Sequence, residues 1–100
     1  MIDHLILYYD NGKKSRESWK LGTYLHREDG PANINYYYSG VKQNEYYCLN
    51  NNLHREDGPA FTSFYYDGSV IYKTYHLHGR CVEASSDEEF KKIVKLKMFL

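Results

Sequence analysis

The sequence predicts a mainly β protein: a single antiparallel meander sheet of stacked β-hairpin repeats, about six strands, capped by a C-terminal α-helix. Three observations lead there. Leu25-His26-Arg27-Glu28-Asp29-Gly30-Pro31-Ala32 recurs unchanged as Leu53-His54-Arg55-Glu56-Asp57-Gly58-Pro59-Ala60, an offset of 53 − 25 = 28 residues. Aromatic and β-branched runs alternate with glycine-bearing turns at that same period. The last stretch then changes to helical spacing.

The repeat reaches well beyond the identical octet. Gly12, Gly40 and Gly68 fall in register, as do Trp19, Tyr47 and Tyr75, and Leu21, Leu49 and Leu77. Between 8–32 and 36–60, 14 of 25 positions are identical, which chance does not produce. Each repeat reads as two strands. The first covers 32–38 and 60–66, where aromatic and β-branched residues suit a pleated, half-buried surface. Asn11-Gly12, Ser39-Gly40 and Asp67-Gly68 supply hairpin turns. The second strand covers 14–21, 42–49 and 70–77, and 50–52 and 78–80 supply the next turn. On that strand the odd positions hold Trp19, Leu21, Tyr47, Leu49, Tyr75 and Leu77, whereas the even ones are mixed. The pattern predicts one apolar, packed face and one wet face.

The domain plan is 1–84 as three repeats (about 1–32, 33–60 and 61–84), then 85–100 as a capping helix. The third copy stops early, at Cys81-Val82-Glu83-Ala84. Terminal units of repeat arrays are atypical because nothing stacks on them. Ser86 and Glu89 have capping-box spacing, with acids at the helix start. Phe90, Ile93, Val94 and Met98 follow at helical intervals, with Lys91, Lys92 and Lys95 opposite. This helix is expected on the sheet's end or its apolar face, where it would cover an edge that invites aggregation.

Bulk properties narrow the function classes. Lys+Arg 13 balance Asp+Glu 13, which argues against a nucleic-acid footprint. The first residues lack the basic region of a signal peptide, and no apolar run has the length of a membrane span. Cys48 and Cys81 make no disulfide framework and no metal-type spacing. The expectation is therefore a cytoplasmic protein with reduced thiols, with no membrane partner, cofactor or metal.

The repeated His-Arg-Glu-Asp string holds catalytic residue types. His26, Glu28 and Asp29, or His54, Glu56 and Asp57, could form a general acid–base set. An active site is normally assembled once, from different segments, whereas this string returns with the period. Asp29-Gly30-Pro31 and Asp57-Gly58-Pro59 read as structural turns, the glycines supplying an unusual φ. Histidine, arginine and glutamate in stacked loops can also hydrogen-bond from one repeat to the next. The string is therefore read as structural, and no catalytic residue is assigned. His26, His54, His76 and His78 match no zinc spacing. Cys48 has nothing basic nearby in sequence to activate it.

Tyrosine is the unusual residue: 12 Tyr against 4 Phe and 1 Trp. Tyr36, Tyr47 and Tyr75 fit the packed side. Tyr37, Tyr46 and Tyr65 are expected on the wet side, where large aromatics suit a protein-binding surface.

The octet, with its upstream Tyr-Tyr-x-x-Gly and an aromatic-x-Leu turn, resembles the MORN-like repeats of phage and giant-virus proteins. The resemblance spans about 8–82. It implies an elongated sheet of hairpins that serves as a scaffold or binding surface, and it brings no catalytic residues. It also implies a small viral accessory protein that binds and modulates or inhibits a host macromolecule, such as a host-defence system. The expected partner is another protein. The competing readings are a small-ligand or nucleotide binder and a hydrolase built on the His-Arg-Glu-Asp loops.

Overall fold

The computed structural model describes residues 1–98. In chain order it contains β1 (Ile2–Tyr8), β2 (Lys14–Leu21), β3 (Tyr24–Leu25), β4 (Asn33–Tyr36), β5 (Lys42–Tyr46), β6 (Cys48–Leu49), β7 (Asn52–Leu53), β8 (Phe61–Phe64), β9 (Val70–Leu77), β10 (Arg80–Val82) and α1 (Asp87–Met98). The predicted meander is there: β1, β2, β4, β5, β8 and β9 lie side by side in that order, each pair antiparallel. The remaining strands are short. β3 folds back on β2, β7 on β6 and β10 on β9, so each repeat carries a second small hairpin where only a turn was expected.

The first turns follow from their glycines. The Tyr9 N–H donates to the Lys13 carbonyl at 2.8 Å, and the Gly12 N–H to the Tyr9 carbonyl at 3.1 Å. Tyr37 with Gly40, and Tyr65 with Gly68, repeat the pattern. Gly12, Gly40 and Gly68 have φ of 84°, 97° and 89°, a conformation that costs glycine nothing. Gly30 and Gly58 lie outside that left-handed region, contrary to the expectation for the Asp-Gly-Pro turns. Their requirement is space. A Cβ on Gly30 would sit 2.8 Å from Cζ of Arg27, and one on Gly58 would sit 3.0 Å from Cζ of Arg55.

The expected division into one apolar and one wet face does not hold. Ile34 is buried, but Glu17 pairs beside it across β2 and β4, and Glu17 and Thr62 are buried too. Among the described residues no second large sheet packs on this one, so Trp19, Tyr47 and Tyr75 are each covered locally. The Arg27 guanidinium lies 3.9 Å from the Trp19 ring centroid, and Arg55 lies 3.9 Å from that of Tyr47. At the next register position stands Glu83, and there Phe90 of α1 covers Tyr75, with centroids 4.8 Å apart. Tyr75, Phe90 and Val94 form an apolar cluster with Leu77, Val82 and Ala84. The helix thus takes the arginine's place at the end of the array.

α1 begins as its sequence directs. The Ser86 hydroxyl accepts the Glu89 N–H at 3.1 Å, and the Ser85 hydroxyl donates to the Glu89 carboxylate. Ile93 is half-buried, and the Met98 side chain lies outside the described residues. Among the described residues no helix is long and apolar enough to cross a membrane.

Candidate functional site

The two identical loops, 26–31 and 54–59, adopt the same bonding. Arg27 Nε donates to Asp29 Oδ1 at 3.0 Å and its Nη1 to the Pro31 carbonyl at 3.2 Å. Arg55 does the same to Asp57 at 2.9 Å and to Pro59 at 3.2 Å. His26 Nδ1 accepts the Asn50 backbone N–H at 2.9 Å, and His54 Nδ1 accepts that of His78, also at 2.9 Å. Each histidine thus holds the tip of the following repeat's small hairpin. Asn50, Asn51 and His78 have φ of 48°, 72° and 50°, so these tips are tight turns in a conformation side chains rarely adopt.

This bonding limits what the loops can do chemically. An Nδ1 that accepts an N–H leaves the neutral ring's proton on Nε2, which faces Glu28 at 3.8 Å or Glu56 at 3.4 Å. The acceptor nitrogen a general base needs is already occupied. The arginines are held by carboxylate, carbonyl and ring together. An open groove of about 740 Å³ runs between the loops, past Glu28, Tyr47, His54 and Glu56. Among the described residues no three His, Cys, Asp or Glu side chains converge as metal ligands would. Cys48 is buried, and burial pushes its thiol up to about 11, away from nucleophilic use.

A second polar cluster, around Glu17, left no sequence signal. Burial alone would raise the Glu17 carboxyl. Donors from Tyr36 at 2.5 Å, Lys14 at 3.0 Å and His4 at 2.8 Å together outweigh burial and hold it at about 2. His4 also stacks on Trp19, with centroids 4.4 Å apart. Both Glu17 oxygens have donors, and the cluster ties β1, β2 and β4 together.

The three tyrosines singled out in the sequence do not form one patch. Tyr46 lies in mid-sheet, half-buried, its ring 4.9 Å from that of Phe61 and beside the Ser18–Asn33 and Asn35–Asn44 bonds. Tyr37 and Tyr65 lie at the other end of the strands, in the turns after β4 and β8. The Tyr37 hydroxyl donates to the Phe64 carbonyl at 2.6 Å, as Tyr9 does to Tyr36 at 2.5 Å. Tyr65, the third copy of this position, is 54% exposed. Two neighbours were missed by sequence reasoning: Tyr38 (52% exposed) and Tyr66 (68%). Tyr66 stacks on Tyr37 at 4.2 Å, and Tyr38 packs on Tyr9 at 5.2 Å. The Tyr-Tyr-x-x-Gly motif does not mark them: Tyr38 and Tyr66 stand two residues before the turn glycine, at its first variable position, where the first copy has Asp10. Tyrosines therefore line this turn edge of the sheet, opposite the histidine loops.

The fold and these two edges define an antiparallel hairpin-repeat protein with self-bonded loops on one side and stacked tyrosines on the other. No family model, curated protein or solved structure matches the chain.

Proposed function

We propose that the chain is a MORN-like, non-catalytic binding protein that docks a partner protein through the tyrosine edge of its sheet. One observation carries this reading. The histidines and arginines of the repeated loops are engaged in holding the fold, while Tyr38, Tyr65 and Tyr66 stand more than half exposed along one edge. Rigid aromatic rings with a polar tip are favoured anchors at protein interfaces. Stacking on Tyr37 pre-orders Tyr66, which lowers the entropy lost on binding. The setting we favour is a phage- or virus-type accessory protein that modulates a host macromolecule in the cytoplasm; the repeat resemblance supports it.

The test is comparative capture. Tagged parent chain and a Tyr65→Ala/Tyr66→Ala variant are each incubated with host lysate, and bound proteins are quantified. The reading expects a protein enriched by the parent and lost with the variant, at unchanged Tm. Equal enrichment by both would place the interface elsewhere.

A further inference from the structure

The two ends of the sheet are finished differently. At the C-terminal end, β10 folds back on β9, and α1 seats Phe90 on Tyr75. At the other end, among the described residues, β1 pairs with β2 on one side only. β4 and β8, which match β1 in the repeat, are each paired on both sides. Leu5 stands at the register position of Asn33 and Phe61, and Leu7 at that of Asn35 and Ser63, since 33 − 5 = 28 and 61 − 33 = 28. β1 thus holds the repeat position of an inner strand but occupies an edge, with leucine where those strands carry Asn35 and Ser63.

Its side chains fit that position poorly for a monomer. Ile2, Leu5, Leu7 and Tyr8 are 41%, 50%, 56% and 60% exposed. Edge strands are ordinarily guarded by lysine, proline or inward-pointing charge. Ile2–Tyr8 contains no lysine, arginine or proline; its one acid is Asp3, and His4 is already bonded to Glu17.

We infer that β1 pairs with β1 of a second copy, antiparallel about a two-fold axis near Leu5, to make one continuous sheet across a dimer. That arrangement brings the strand's exposed leucines together. Leu5 faces Leu5 of the other copy, and each Leu7 faces an Asp3, so the leucines of both copies gather on one face. The two Asp3 side chains stand four residues apart along the ladder, about 13 Å, so their charges do not meet. The axis makes the contact isologous, and it closes at two copies. A head-to-tail array would need the outer edge of β9 instead, where β10 covers only Tyr75–Leu77 and the remaining stretch carries Lys73, an edge guard, 3.0 Å from Asp87 of α1.

Sedimentation equilibrium of the full chain tests this, beside a Leu5→Lys/Leu7→Lys variant and a Tyr72→Lys variant on the β9 edge. The parent and Tyr72→Lys should sediment at twice the chain mass, and Leu5→Lys/Leu7→Lys at the chain mass with its β-sheet circular dichroism retained. If the double-lysine variant fails to fold, the single Leu5→Lys serves in its place. A monomeric parent, an open-ended polymer, or association broken by Tyr72→Lys and kept by the β1 variants would overturn the proposal.

Discussion

His26 and Asn50 are joined across a repeat boundary, ring nitrogen to backbone N–H at 2.9 Å, and 28 residues later His54 and His78 are joined the same way. A residue type usually read as catalytic is here an acceptor that holds the tip of the next hairpin. Its removal should strand a turn N–H. His54→Ala, where the side chain is 8% exposed, should cost about 1–2 kcal/mol, and His26→Ala, at 15%, somewhat less. Urea unfolding of the two single variants checks both the size and the order.

The arginine beneath each loop glycine sets a second expectation. Gly30→Ala pushes against a guanidinium already fixed by Asp29, Pro31 and Trp19, and should destabilise by about 1–3 kcal/mol. Gly58→Ala should cost less, because its added Cβ has slightly more room. In an Arg27→Ala background the Gly30→Ala penalty should largely vanish. A penalty that persists there would mean backbone strain and not crowding.

Much of this architecture was legible in the chain, and the gaps have definite causes. The 28-residue offset placed the long strands, the glycines of the hairpin turns and the register of Trp19, Tyr47 and Tyr75. Ser86 and Glu89 marked the helix start within a residue. What pattern could not give was context from another repeat. Tyr37 and Tyr65 hold the same repeat position, yet Tyr37 meets the Phe64 carbonyl of the following repeat and Tyr65 stands exposed. Glu17 reads as a surface residue, and its burial depends on His4 and Tyr36, which lie 13 and 19 residues away. Period-2 alternation assumed a second layer, and here Trp19 and Tyr47 are covered by Arg27 and Arg55 instead.

Glu17 gives the fold an acid limit. Its carboxyl is held at about 2 against an ordinary 4.5, so the unfolded chain binds more protons than the folded one in that interval. The stabilisation, roughly 3 kcal/mol, is fully present above pH 4.5 and is lost as pH falls towards 2. His76, lowered by burial, adds a loss of the same sign that begins below its ordinary 6.5. Thermal melts should show the parent losing Tm steeply below pH 4.5. Glu17→Gln should start lower and lose less in that window; a parallel loss in both proteins would exclude Glu17 as the cause.

Phe90 carries the C-terminal cap. Its side chain is fully buried against Tyr75, whose hydroxyl donates to Asp87 at 2.5 Å. Phe90→Ala should cost about 3–4 kcal/mol, and truncation after Ala84 should leave a chain that aggregates or unfolds. Retention of the parent Tm by either one would show that the sheet does not need the helix.

If the histidine loops hold the fold and the tyrosine edge binds the partner, one pair of variants measured side by side separates the two roles. Tm, and affinity for the protein captured by the parent chain, would be measured for His26→Ala/His54→Ala and for Tyr65→Ala/Tyr66→Ala. The histidine variant should melt lower but, below its transition, bind like the parent. The tyrosine variant should keep its Tm and lose roughly thirtyfold or more in affinity, as truncated hot-spot aromatics do. The opposite result would contradict this division of roles: a histidine variant of unchanged Tm that no longer binds, beside a tyrosine variant that binds normally.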